Sequence, residues 1–226
     1  MTLPEATGLL GGTFDPPHRG HLALAEAALA GGQVRHVHFV PSARPPHKAR
    51  PDLSDARHRL EMTRLLVHGQ PRMDVLDLEL RRDGPSYTID TVRDLYRRQR
   101  LRPCRLIIGW DMAVTFESWR EARNLALLAP PLVAWRPEPG LASEAGLPPD
   151  HRPAGPDFAA WPDVLRSIPG ILAADMVLAM PALPVSSSFL RACMAGGAEA
   201  SLEKWLPPEV MRYIAQNGLY APGPVA

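Results

Sequence analysis

The stretch Gly11-Gly12-Thr13-Phe14-Asp15-Pro16-Pro17-His18-Arg19-Gly20-His21 decides how this chain folds. Residues 7–10 before it form a short apolar run of the kind that becomes a buried strand. After it, Leu22, Ala25 and Leu29 recur at helical spacing until Gly31-Gly32 stops the pattern. Strand, glycine loop and helix in that order put the loop at the C-terminal edge of a sheet, where open α/β sheets bind their ligands.

The loop is neither of the common nucleotide loops. A Rossmann Gly-x-Gly-x-x-Gly needs a glycine near Phe14, and a Walker loop needs a lysine followed by Ser or Thr. Paired glycines let the backbone approach a ligand, and Gly20 lets helix and nucleotide pack together. His18 and His21 are three apart at the helix start, so both rings can face one ligand while the helix dipole adds partial positive charge. The bland alternative is a strand-to-helix turn capped by Asp15, with two solvated histidines. A zinc pair lacks support, because no Cys, Glu or third His stands at a suitable spacing.

Working outward, residues 34–40 alternate as a second strand ended by Pro41, and a basic, proline-rich loop follows to residue 51. Ser54 is the expected N-cap of a helix carrying Ala56, Leu60, Thr63 and Val67 on one face. Residues 75–80 read as strand, and Pro85-Ser86 precedes a helix reaching about Gln99. Residues 106–108 form a buried strand ending at Gly109, and 132–135 another. The stretch 136–163 is rich in proline and glycine without a period, so it reads as variable loop. A last strand is expected near 176–178, with helices over 186–195 and 208–217, the latter closed by Gly218. The alternating order predicts an α/β fold: one Rossmann-like, doubly wound parallel sheet with its core at about 7–180, and a small helical C-terminal part at about 181–220.

A chain of 226 residues can bury a substantial core in one such domain. Its formal charge of +1 exerts no global pull on nucleic acid or membrane surfaces, so any anion site must be local. Cys104 and Cys193 lack the spacing of a disulfide framework or zinc site, and no apolar stretch approaches a membrane span. A cytoplasmic protein with small-molecule substrates, and neither nucleic-acid nor membrane partners, is the expectation; a homo-oligomer is left open.

The eleven-residue loop resembles the histidine signature of the nucleotidyltransferase superfamily, in the form typical of the nicotinate mononucleotide adenylyltransferase family. Four further segments match in the same order. Val40-Pro41 with Pro45-Pro46-His47-Lys48 is similar to the family's basic loop, and Pro85-Ser86-Tyr87-Thr88 to its Pro-Ser-Tyr-Thr. Gly109-Trp110-Asp111 with Phe116 and Trp119 resembles its Gly-x-Asp and Phe-x-x-Trp, and Ser186-Ser187-Ser188-Phe189-Leu190-Arg191 its Ser-Ser-Thr-x-Ile-Arg. Ser188 replaces the usual threonine, and Trp110 a small or polar residue.

The resemblance implies transfer of the adenylyl group of ATP to nicotinate mononucleotide, with magnesium carried by the ATP. It implies an ATP site of Gly11, Gly12, Thr13, Phe14, His18, Gly20, His21, Gly109, Asp111, Ser186, Ser187, Ser188 and Arg191. Nicotinate mononucleotide would meet Asp15, His47, Lys48, Ser86, Tyr87, Thr88 and Trp119, with His18, His21, Lys48 and Arg191 as the catalytic group. The helix start at Tyr87 and Thr88 would hold the nicotinate carboxylate, and Trp119 would stack on the pyridine ring. The rivals are an enzyme acting on nicotinamide mononucleotide or another phosphorylated acceptor, and a nucleotide-binding regulator without catalysis.

Overall fold

The computed structural model describes residues 6–44, 52–99, 103–135, 158–180, 183–196 and 202–221. Six strands form one all-parallel sheet: β1 (Thr7–Gly12), β2 (His36–Pro41), β3 (Met73–Val75), β4 (Cys104–Gly109), β5 (Pro131–Trp135) and β6 (Val177–Ala179). Their spatial order is β3-β2-β1-β4-β5-β6, so the winding reverses between β1 and β4. That reversal opens a crevice at the carboxyl ends of the two central strands. Gly11-Gly12 and Gly109 lie on its rim.

Helices cover both faces. On one, Leu10, Val37, Phe39 and Ile107 pack with α1 (Arg19–Ala30) and α2 (Ala56–Val67). The same apolar cluster takes in Leu190 of α7 (Ser187–Ala195) and Val210 and Ile214 of α8 (Pro208–Gln216). The C-terminal helices therefore share the first core. On the other face, Leu9, Leu106, Ile108 and Val133 pack with α3 (Thr88–Asp94) and α5 (Ala122–Leu128). Two short helices, α4 (Trp110–Ala113) and α6 (Asp163–Arg166), contribute Ala113, Val164 and Leu165 to that cluster. A π-helical turn at Leu95–Gln99 extends α3 to the end expected from the sequence. Arg105 is buried in β4, where its guanidinium donates to the carbonyls of Pro130 (2.8 Å) and Pro131 (3.3 Å) and ties β4 to the start of β5. Burial pushes that guanidinium down to about 10.

Two local expectations are corrected. The strand expected at 75–80 is Met73–Val75, and after Leu76 donates to the Phe39 carbonyl (2.9 Å) the chain turns, with Leu80 N–H on the Asp77 carbonyl (3.0 Å). Asp77 and Glu79 alternate with leucines there, which imitates strand periodicity inside a turn. The cap of α2 is Asp55, not Ser54: its carboxylate accepts from Arg57 N–H at 2.7 Å. Most of the 136–163 loop lies outside the described residues, as do 45–51. Among the described residues, no helix is long and apolar enough to cross a membrane.

Candidate active site

The loop between β1 and α1 turns on a buried aromatic. Phe14 takes a left-handed backbone (φ 52°), and its ring packs edge-on against His21 (4.9 Å) and near Phe39 (5.8 Å). The ring is thus an internal anchor, and Phe14 offers a nucleotide only its backbone. Gly11 faces open space, whereas a Cβ at Gly12 would press on the Phe14 ring at 3.0 Å, which would have to give by a few tenths of an ångström. Gly20 is needed for a close contact within the protein: a Cβ there would sit 2.8 Å from Val185 and 2.9 Å from the His18 ring. It is the loop before α7 that packs so closely here.

His18 is the N-cap of α1 and only 4% exposed, so the Asp15 cap is not found and His18 is not solvated, while His21 is half-buried. Its ring lies against that of His21, 3.8 Å between centroids. The His18 N–H donates to His21 Nδ1 at 3.1 Å. An accepting Nδ1 leaves the His21 proton on Nε2, so that ring presents a donor at its far end.

The N-terminus of α7 is latched to the same loop. Ser186 caps the helix by accepting from Phe189 N–H (3.1 Å), while the Ser187 hydroxyl donates to the Pro16 carbonyl (2.9 Å). Arg191 donates to the Asp15 carbonyl (2.6 Å) and to the Ser188 hydroxyl (3.2 Å). Two helix N-termini and two imidazoles thus converge on one edge of the sheet, a concentration of donors and positive dipole suited to a polyanion.

Asp15 faces inward. Its carboxylate accepts from the Tyr220 hydroxyl (2.7 Å) and lies 3.8 Å from Arg191 Nη1, so it joins the C-terminal part to the loop. Burial pushes the Tyr220 hydroxyl strongly up, which keeps it a proton donor. Tyr220 was not anticipated, because its partner lies 205 residues away in the chain.

Arg59 was also missed. It is 1% exposed, and its guanidinium donates to the carbonyls of Thr13 (2.8 Å), Ser42 (2.7 Å), Ala43 (3.1 Å) and Ser54 (2.9 Å). One side chain thereby clamps the glycine loop to the loop after β2. Burial lowers its pKa, and Asp15 is the foremost of the charges that oppose this. The available signal was a cation one position before Leu60, on the stripe otherwise facing the core.

Ser86 grips the same loop from the other side. Its hydroxyl accepts from Ala43 N–H (3.1 Å) and Arg44 N–H (3.2 Å), it hydrogen-bonds Glu79, and its own N–H donates to the Arg44 carbonyl (3.0 Å). With hydroxyl and amide both committed, Ser86 holds the loop, and the α3 helix start is presented by Tyr87 and Thr88. Glu79 is pushed above the usual carboxylate range by burial, against hydrogen bonds from Thr91 (2.6 Å) and Ser86. His47 and Lys48 lie outside the described residues, but their segment departs from Arg44, between these two clamps.

Across the crevice, Asp111 is exposed in the first turn of α4, and a Cβ at Gly109 would meet its carboxylate at 2.5 Å. Trp110 packs toward Trp161 (5.8 Å), so the bulky residue is absorbed by the second core. Trp119 stacks on Phe116 at 5.1 Å and 27°, which fixes the plane of the half-buried indole. Arg120 lies 4.6 Å over the Tyr87 ring, linking this aromatic wall to the start of α3.

Residues 9–192 match the cytidylyltransferase-like family. The chain is 37% identical over 216 residues to the "Probable nicotinate-nucleotide adenylyltransferase" of Symbiobacterium thermophilum, covering 95% of each. It is 38% identical over 215 residues to the protein of the same name from Bordetella petrii, covering 94% of this chain and 97% of that one. A solved structure of Plasmodium falciparum nicotinic acid mononucleotide adenylyltransferase complexed with NaAD is similar in fold, with a TM-score of 0.64 at 17% identity, covering 96% and 97% of the two chains.

Proposed function

The chain belongs to the cytidylyltransferase-like family, among relatives named as nicotinate-nucleotide adenylyltransferases, and from that membership we propose that it transfers the adenylyl group of ATP to nicotinate mononucleotide. The products are nicotinate adenine dinucleotide and pyrophosphate, a step of NAD biosynthesis. The observation that carries this reading is the meeting of the α1 and α7 N-termini at the β1 edge, with His18 and His21 in ring contact between them.

The 5′-phosphate of the acceptor attacks the α-phosphorus of ATP as the bond to the β-phosphate oxygen breaks. A phosphate monoester has a second pKa of about 6, so near neutral pH the nucleophile is already largely ionised and needs no general base. The chain's task is to align two anions in line and to offset their repulsion. His18, His21 through its Nε2 proton, the α7 hydroxyls and Arg191 stand where the ATP phosphates would lie, and the family resemblance assigns Lys48 and His47 to the phosphates as well. The Gly109–Asp111 rim would take the nucleotide ribose. Tyr87 and Thr88 would receive the nicotinate carboxylate against the Trp119 wall.

The groups along the loop are imidazoles, hydroxyls and a guanidinium, and the Asp15 carboxylate is engaged by Tyr220 and Arg191. That donor set does not fit a resident magnesium ion, which asks for carboxylate or phosphate oxygens. Magnesium therefore enters with MgATP as substrate.

Pyrophosphate release measured over a panel of acceptors tests the assignment. Nicotinate mononucleotide is expected to be turned over best, and preference for the amide nucleotide, for phosphopantetheine or for glycerol 3-phosphate would overturn it. Within that assay, Trp119→Ala should raise KM for nicotinate mononucleotide roughly tenfold with little change in kcat, because stacking on a cationic ring is worth about 1–2 kcal/mol and mostly precedes the chemical step. A variant whose KM for ATP rose instead would move the indole to the other substrate.

A further inference from the structure

A strand covered on both faces of a parallel sheet normally reads as a continuous apolar run. β2 opens instead with His36-Val37-His38, both imidazoles on the sheet face that also carries Thr7 and Leu9 of β1. In the β2–β3 register, Asp74 stands opposite His38. His36 Nε2 lies 3.2 Å from Asp74 Oδ2, His38 Nδ1 abuts Asp74 Oδ1, and the two imidazole centroids are 4.7 Å apart. One ligating atom from each of the three residues falls within 4.8 Å of the others.

One carboxylate thus faces two imidazoles: His36 Nε2, shielded from solvent, meets Asp74 Oδ2, and His38 Nδ1 meets Asp74 Oδ1. Tetrahedral zinc, with bonds of about 2.0–2.1 Å, places neighbouring ligand atoms roughly 3.3 Å apart. The His36–Asp74 separation of 3.2 Å already has that value, whereas His38 Nδ1 and Asp74 Oδ1 are closer than two ligands of one ion and would have to part to admit it.

We propose that His36, His38 and Asp74 form a binding site for a divalent transition metal of the zinc class, with its remaining position open to water. Two imidazoles and one carboxylate favour zinc or cobalt over magnesium or calcium, which take all-oxygen shells. The site straddles β2 and β3 near their amino ends, away from Pro41 and the nucleotide edge. It pins the three-residue edge strand to its neighbour and takes no part in adenylyl transfer. It stands or falls independently of the function proposed above.

Tag-free protein, stripped with chelator, is titrated with Co²⁺ by absorbance and with Zn²⁺ by calorimetry. One equivalent is expected to bind with micromolar affinity, and a hundredfold excess over Kd should raise Tm by roughly 5–11 °C. His36→Ala and Asp74→Asn, whose side chains are 37% and 49% exposed, should fold and release pyrophosphate normally, yet bind at least tenfold more weakly. His18→Ala should bind as the parent does, which separates this cluster from the histidines of the phosphate loop. No binding at 100-fold the protein concentration, or equal affinity in His36→Ala, Asp74→Asn and the parent, overturns the proposal.

Discussion

Replacing His18 with alanine is expected to lower kcat by roughly two to four orders of magnitude, as removal of a transition-state donor does, while the fold survives. The imidazole sits at the N-cap of α1, 4% exposed, in contact with the His21 ring. The fold should persist because the His18 amide, not its ring, holds His21 Nδ1. Steady-state pyrophosphate release together with a thermal melt checks both halves. Turnover within a few-fold of the parent would remove His18 from the chemistry, and a collapse in Tm would make it a structural cap.

Arg59→Ala should cost both stability and rate. Four carbonyls that define the loops around the site lose a charged donor at once. Hydrogen bonds to charged groups are worth about 1.5–3 kcal/mol each but do not add, and the burial cost of the cation is relieved. A net loss of about 3 kcal/mol is expected, equivalent in a chain of this size to a Tm lower by roughly 6–12 °C. Because the same bonds set the spacing between Thr13 and the loop after β2, kcat/KM should fall on the order of tenfold to a hundredfold at temperatures where the variant is folded. Arg59→Lys should recover part of the stability and little of the rate, since an ammonium cannot reach carbonyls on both loops in a fixed fork. A melt within 2 °C of the parent and unchanged kcat/KM would show that the loops hold themselves.

Much of the site could be read along the chain. The strand, paired glycines and helix around residues 7–30 announce a sheet edge through local periodicity alone. The order of elements from there to α8 followed, with departures where local signals compete. Asp77 and Glu79 alternate with leucines in a turn, and Ser54 and Asp55 are rival caps that differ by one residue. The segments carrying the family resemblance are likewise short and contiguous, so each is legible without knowing where the others lie.

Residues that bind one segment to another were silent. Ser86 looked like a helix start and proved to be a brace for residues 43 and 44. Asp15 looked like a cap and instead meets Tyr220 and Arg191. Arg59 and Thr13 are 46 positions apart, and Asp15 and Tyr220 are 205. A hydrogen bond between such partners leaves no periodic trace, because their approach depends on how α2, α7 and α8 seat on the sheet. Backbone preference and side-chain pattern act over a few residues and write themselves into the chain. The geometry that holds the glycine loop rigid beside two helix N-termini arises only when distant carbonyls, hydroxyls and cations are buried together and must satisfy one another.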